Sequence, residues 1–157
     1  MKGVNTLMIQ LSPEKINDVY YVCSLLEFTA RKTKNKRCDI IKYFTKSDIS
    51  RQLRIAQVNH CLSFEQVSDE LIEQYEIKDG EYDSVAECKY TVPSYLSIGS
   101  VYQTLITDVC EDGDIEQTLI DVFSSFISDE ISYFNSNVYY SNPDYLRCSY
   151  LEGEMLS

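Results

Sequence analysis

The chain contains no tryptophan, a single histidine and only five glycines among its 157 residues. Loops that hold phosphate groups need closely spaced glycines, and the sequence has no G-x-x-x-x-G-K-[ST], G-x-G-x-x-G or G-x-S-x-G pattern. A single histidine also leaves no second imidazole for a mechanism that uses two. We therefore expect no enzyme activity and no bound cofactor.

The cysteines and the histidine do not follow the spacing of a metal or catalytic site. Consecutive cysteines lie 15 to 38 positions apart, and no C-x-x-C pair occurs. His60 directly precedes Cys61, but adjacent side chains on a helix point apart, which disfavours a nucleophilic pair. We predict mostly buried, unpaired thiols, typical of a reducing compartment, at Cys23, Cys38, Cys61, Cys88, Cys110 and Cys148.

Residues 108–119, DVCEDGDIEQTL, match a calcium-binding loop only in part. Acidic side chains occupy several ligand positions, but Cys110 stands at the third position and Leu119 at the twelfth, where the loop needs a bidentate glutamate. A turn in which Asp114 caps the next helix explains the same residues, so we predict no metal site here.

Apolar residues recur at intervals of three and four along most of the chain, which predicts amphipathic helices. Ser12 and Pro13 are typical of a helix start, since serine caps free N–H groups and proline lacks one. Between 84 and 92 the helical period is lost, and we predict a short strand or an extended link. The fold class is mostly α, a bundle of five to six helices, predicted near 13–34, 39–44, 49–62, 64–75, 99–110 and 115–135.

Charge is distributed unevenly along the chain, whose formal net charge is −11. Residues 1–60 hold eleven basic and five acidic side chains, whereas residues 61–157 hold three basic and twenty acidic ones. We divide the chain into a basic helical subdomain, 1–77, and an acidic helical subdomain, 78–157, packed as one unit. Opposite poles attract within a chain or head to tail between copies, which leaves a homo-oligomer open.

Two stretches stand out as candidate partner-binding surfaces. One is a basic run at the end of the first helix, made of Arg31, Lys32, Lys34, Lys36 and Arg37. The other is the C-terminal tail, 136–157, predicted to be irregular, with tyrosines at 139, 140, 145 and 150 that dock on another surface. Tyrosine is enriched at protein interfaces, and acidic surfaces steer basic partners. Tyr139, Tyr140, Tyr145 and Tyr150 therefore join the basic run as predicted contact residues.

The chain start, MKGVNTLMIQ, has an apolar run too short and too interrupted for a signal peptide or a membrane span. We expect a cytoplasmic protein with no membrane partner. Nucleic acid is an unfavoured partner because most of the chain is acidic, although the 31–37 segment leaves direct binding open. An acidic surface that mimics nucleic acid and inhibits a nucleic-acid-binding protein, as some phage inhibitors do, is another alternative.

The stretch VYYVCSLLEFTARKTKNKRCDIIKYF, followed by helices ending in LIEQY, resembles a small helical bacterial domain of unknown function. That domain is often encoded beside proteins predicted to be ADP-ribosyltransferase toxins. The similarity covers about residues 16–75 and consists of an aromatic-rich helix, a lysine-rich joint and a short helix that ends in an aromatic residue. The resemblance implies an antitoxin or inhibitor that acts by binding a basic, toxin-like protein, without catalysis of its own.

Overall fold

The computed structural model describes residues 11–157, so the apolar run before Gln10 lies outside the described residues. It contains no strand in that range, which confirms the mostly α fold class, but eight α-helices exceed the predicted five to six. The helices are α1 Pro13–Thr33, α2 Arg37–Ile40, α3 Lys46–Asn59, α4 Phe64–Tyr75, α5 Tyr95–Val109, α6 Ile115–Ser124, α7 Phe126–Ser132 and α8 Pro143–Glu152. Short 3₁₀ turns cover Ile41–Tyr43 and Val138–Tyr140.

Two local features account for the additional helices. The predicted helix near 115–135 is broken at Ser125, whose extended backbone ends α6 and whose hydroxyl caps α7 by accepting the Ile127 N–H at 3.3 Å. In the tail, the Asn142 side chain accepts the Asp144 N–H at 2.8 Å and Pro143 occupies the first turn, so α8 forms there. The prediction of an irregular tail was wrong for this segment, because asparagine and proline, which are common in turns, here begin a helix.

The link between α4 and α5 is an irregular segment that is hydrogen-bonded to the rest of the fold near both ends. Near its start, the N–H groups of Gly80 and Tyr82 donate to carbonyl groups at the end of α1. Further along, the Asn135 side chain accepts the Lys89 N–H at 2.7 Å and donates to the Glu87 carbonyl at 2.9 Å. The region predicted as a short strand or extended link is thus a turn followed by an extended link, anchored to the end of α7.

Helix α1 is the centre of the fold. It packs most extensively against α5 and also contacts α2, α3 and α4, and its middle turns, from Tyr21 to Glu27, are buried on every side. The core continues into the second half of the chain, where the Tyr102 ring of α5 stacks on Phe123 of α6 with centroids 4.2 Å apart. One hydrophobic core therefore draws residues from the basic and the acidic parts of the sequence.

The contact between α1 and α5 requires a glycine. A Cβ atom at Gly99 would overlap the Ser24 hydroxyl and lie 2.9 Å from the Ser24 Cα. Both residues are fully buried, so neither backbone can move away into solvent. Gly99 therefore sets how closely the two central helices approach.

None of the helices in residues 11–157 has the length and apolar character needed to cross a membrane.

Candidate functional site

The basic run does not form a single surface. Helix α1 ends at Thr33, the left-handed backbone of the next residue, Lys34 (φ 57°), turns the chain, and the following residues lead directly into α2. This turn points Arg37 into the protein, where its side chain has 0% exposure, and leaves Arg31 half-buried. Lys32, Lys34 and Lys36 remain exposed.

Glu27 is the reason that arginines of this run lie inside. The Glu27 carboxylate is fully buried and accepts hydrogen bonds from Arg37 Nε at 2.8 Å, Arg37 Nη2 at 2.5 Å and Arg31 Nε at 2.8 Å. Arg37 also donates to the Asn35 carbonyl and to the Ser84 hydroxyl, at 3.4 and 3.3 Å. A buried charge of this kind is tolerated only when it is paired and hydrogen-bonded, as it is here.

The ion pair lowers the pKa of Glu27. Burial by itself raises the pKa of this carboxyl, but the guanidinium groups of Arg37 and Arg31 outweigh burial and hold the pKa below its usual value of 4.5. Ionised Glu27 therefore stabilises the fold above the pKa of the unfolded chain, and this contribution is lost as pH falls through the lower pKa of the folded state.

We expect the lowered pKa of Glu27 to make the free energy of unfolding depend on pH in the acidic range. The free energy of unfolding, measured with urea at a series of pH values from about 7 down to about 3, should fall more steeply for the wild-type protein than for Glu27→Gln. The variant is less stable at neutral pH but has no carboxyl to protonate at this position. Parallel pH dependence in the two proteins would contradict the assignment.

Two of the exposed lysines of the run contact other residues of the same chain. Lys32 forms ion pairs with Glu65 and Asp69 of α4, so it ties α1 to that helix. The Lys36 ammonium lies 5.9 Å from the centre of the Tyr82 ring, within cation–π range. Of the five basic residues predicted as a contact surface, the structure thus leaves mainly Lys34 and Lys36 facing solvent.

A groove of about 410 Å³ lies between α5 and the segment that leads into α8. Its floor is apolar, formed by Val101, Leu105 and Leu146, and its wall is formed by Tyr139 and Tyr140. Hydroxyl groups surround the floor, and none of the residues that line the groove is charged. The remaining lining residues are Pro93, Ser97, Ser100, Thr104, Ser141 and Pro143.

The groove is open to solvent on its tyrosine side. Tyr140 is 69% exposed, although it packs edge-on against Tyr139 with centroids 4.8 Å apart. Two acidic residues follow lining residues in sequence: Asp108 comes one helical turn after Thr104, and Asp144 comes directly after Pro143 and pairs with Arg147 at 3.4 Å. Burial raises the pKa of the Asp108 carboxyl; the Arg147 charge acts in the opposite direction, and Asp144 adds to the rise.

The tyrosine wall is supported from the interior. The Arg31 guanidinium, already bonded to Glu27, donates to the Pro93 carbonyl at 2.9 Å and lies 5.0 Å from the centre of the Phe134 ring. Phe134 in turn packs edge-on against Tyr139, with centroids 5.8 Å apart. A continuous series of contacts therefore joins the buried ion pair to the groove.

The four tail tyrosines take different positions. Tyr139 and Tyr140 line the groove, whereas the Tyr145 hydroxyl donates to the Leu156 carbonyl at 2.6 Å and so fastens the chain end. Tyr150 is half-buried, and burial raises its pKa. The structure thus brings two of the four predicted contact tyrosines into one site.

The other motifs adopt structural roles in the described residues. Asp114 caps α6 and pairs with Lys46 at 2.5 Å, as expected for a turn rather than a calcium loop. Residues 11–157 contain no group of three or more histidine, cysteine or acidic side chains placed to hold a metal ion. All six cysteines are free thiols, but only Cys23 is buried and Cys61 is exposed, so the prediction of mostly buried cysteines was wrong.

Sequence reasoning missed the α5 side of the groove. Ser97, Ser100 and Thr104 follow one another at intervals of three and four along α5, which places their small hydroxyl side chains on one face. This pattern was visible in the sequence. The opposing segment was not, because its position depends on how α8 packs against α5.

Comparison of the chain with protein-family models, with curated proteins and with solved structures gives no match in any of the three.

Proposed function

We propose that the protein is a non-enzymatic binding module whose groove receives an apolar side chain from a basic protein partner. The observation that carries this proposal is the combination of an apolar floor with an exposed tyrosine wall between α5 and α8. Interfaces are commonly anchored by an aromatic or aliphatic side chain that fills such a pocket, with hydroxyl groups at the rim to make hydrogen bonds.

The charge of the molecule favours a basic partner. The second half of the chain, which supplies every residue of the groove, holds twenty acidic and three basic residues. Close to the groove in sequence, Asp144 is already paired with Arg147 at 3.4 Å, so the attraction of a basic partner rests on the net charge of this half of the chain. Long-range attraction of this kind raises the rate of association and decreases at high salt.

The resemblance of residues 16–75 to a toxin-associated bacterial domain suggests what the partner is. We propose an antitoxin-like or inhibitory role, in which the acidic surface covers the basic site of a toxin. Inhibition of a nucleic-acid-binding protein by mimicry requires the same complementarity, so the identity of the partner separates the two roles. Neither role needs a catalytic residue in this chain.

The test begins with a tagged pull-down from the native host at low and then moderate salt, with retained proteins identified by mass. The affinity of the purified partner is then compared between the wild-type protein and Tyr140→Ala. We expect the variant to bind about tenfold more weakly, because truncating a central aromatic contact typically costs more than about 1 kcal/mol.

Tyr90→Ala is the matched control. Tyr90 is 71% exposed, close to the 69% of Tyr140, but it does not line the groove. Equal losses of affinity in the two variants would point to a general effect of surface tyrosines and contradict the groove. If the partner binds Tyr140→Ala with the affinity of the wild-type protein, the groove is not its binding site.

A further inference from the structure

Rings and hydroxyl groups line the groove between α5 and the segment that leads into α8, and none of the described residues that line it is charged. Besides the tyrosine wall, Pro93 and Pro143 each contribute a proline ring. Proline and tyrosine side chains lose little conformational entropy when a partner covers them. They therefore suit contact with other rigid apolar rings.

Hydroxyl groups on two sides of the groove are open to solvent. Ser97 and Ser100 are exposed on α5, and Tyr140 is 69% exposed on the tyrosine wall. Ser141 differs, because its hydroxyl already donates to the Asn137 carbonyl at 3.1 Å. The exposed hydroxyls can each donate a hydrogen bond to a carbonyl oxygen of a bound segment.

These hydroxyl donors select the backbone conformation of the bound segment. An α-helix uses most of its carbonyl groups internally, so it has few to offer. A β-strand binds by adding to the edge of a sheet, and residues 11–157 contain no sheet. A polyproline II helix makes no internal hydrogen bonds and leaves its carbonyl groups free to accept from donors on the partner.

The apolar floor favours proline within that segment. A backbone N–H placed over Val101, Leu105 and Leu146 would be buried without an acceptor from these side chains, which costs free energy. Proline has no backbone N–H and presents a ring instead. Grooves lined by aromatic side chains are a recurrent means of binding such segments.

The length of the α5 side indicates how many residues fit. From Ser97 to Leu105 the helix rises about 12 Å, at about 1.5 Å per residue. A polyproline II helix rises about 3.1 Å per residue, so about four of its residues span this distance. Because it has about three residues per turn, the first and fourth residues of such a segment point to the same side.

Charge complementarity determines what flanks the prolines. The second half of the chain, which supplies the groove, holds twenty acidic and three basic residues, whereas the lining of the groove is uncharged. Neutral prolines match the lining, and cationic residues outside the groove match the field of this half of the chain. We propose, as an extension that rests on the binding function above, that the groove receives a proline-rich segment of the partner, flanked by lysine or arginine, with prolines at its first and fourth positions facing the floor.

The test uses the full chain and a fluorescein-labelled peptide of two lysines followed by about nine prolines, which forms about three turns of polyproline II helix. Fluorescence anisotropy at low salt measures its binding. We expect saturable binding at least about tenfold tighter than that of a peptide in which alternating glycine and serine replace the prolines, because the proline peptide is extended before it binds. A second comparison peptide, with the same lysines and a helix rich in alanine and leucine, represents a helical partner. Equal or tighter binding of either comparison peptide would overturn the proposal.

Two tyrosine variants locate the binding site of the proline peptide. Tyr140→Ala should weaken its binding about tenfold, since the variant removes both a ring and a donor. Tyr90→Ala, at a residue of similar exposure outside the groove, should leave binding unchanged. Equal losses in the two variants would place the peptide elsewhere and contradict the assignment.

Ser100→Ala tests the hydroxyl donors separately from the rings. We expect the proline peptide to bind about fivefold more weakly, the usual effect of one hydrogen bond between neutral groups. The melting temperature should not change, because Ser100 is exposed and lies outside the core. Unchanged affinity would remove the reason for preferring a segment with free carbonyl groups and would overturn the proposal.

The native partner distinguishes failure of the proline assignment from failure of the binding function. If the partner loses affinity for Tyr140→Ala while the proline peptide shows no saturable binding, the groove binds a different kind of segment and the proline assignment is wrong. If the proline peptide binds the groove while the partner is insensitive to Tyr140→Ala, the preference of the groove for proline stands and the partner uses another surface.

Discussion

Replacing Arg37 with methionine is expected to lower the free energy of unfolding by about 3–5 kcal/mol, the usual effect of removing one partner from a buried ion pair. The Arg37 side chain is fully buried and donates two hydrogen bonds to Glu27, so among residues 11–157 the variant leaves that carboxylate with Arg31 as its one charged partner. Methionine keeps the aliphatic part of the side chain but not the guanidinium group, so the variant removes the charge, its hydrogen bonds and the volume that the group fills. Urea unfolding followed by circular dichroism at neutral pH measures the difference.

Arg54→Met is the control for this experiment. Arg54 is an exposed arginine of α3 that donates to the nearby Ser50 hydroxyl at 3.2 Å, and its replacement should change stability by less than about 0.5 kcal/mol. The double variant Glu27→Leu/Arg37→Met should recover part of the loss, because a buried ion pair can often be replaced by apolar side chains. Similar stabilities of the Arg37 and Arg54 variants would contradict a buried role for Arg37.

Gly99→Ala is expected to lower the free energy of unfolding by about 2 kcal/mol, the usual range for overpacking a core. In an exposed helix the same change raises stability by about 1 kcal/mol, so the sign of the effect is itself informative. The added Cβ would overlap the Ser24 hydroxyl and lie 2.9 Å from the Ser24 Cα, which forces α1 and α5 apart. Thermal and urea unfolding both report the change.

A second substitution tests the cause of that loss. Ser24→Gly removes the hydroxyl and the Cβ that the new methyl group meets, so Ser24→Gly/Gly99→Ala should be more stable than the sum of the two single changes predicts. Ser100→Ala, at the exposed neighbouring position of α5, controls for alanine in the same helix. If Gly99→Ala is as stable as the wild-type protein, the contact between α1 and α5 can accommodate the added methyl group, and the glycine is not required.

The sequence predicted those elements whose signals are local. The Ser12 and Asp114 caps lie where the sequence placed them, since a cap depends only on residues three positions apart. The break at Ser125 was missed because the apolar period continues through it, and the break becomes visible only from the backbone.

Local sequence patterns could not predict the buried ion pair between Glu27 and Arg37. In the sequence, Arg37 and Lys36 are adjacent cations of one run, yet the first is fully buried and the second exposed. The difference arises because Glu27, ten residues earlier, faces the turn that carries Arg37. The groove was missed for a related reason, since its two sides are separated by more than thirty positions and meet only through packing.

The position of Arg31 bears on how the proposed partner would bind. Its guanidinium joins Glu27, the Pro93 carbonyl and the Phe134 ring, and Phe134 packs against Tyr139. Tyr139 is therefore held by the fold itself, whereas Tyr140, 69% exposed, is the side chain whose conformational entropy would fall on association. We expect variants of this groove to change the lifetime of the proposed complex more than its rate of formation.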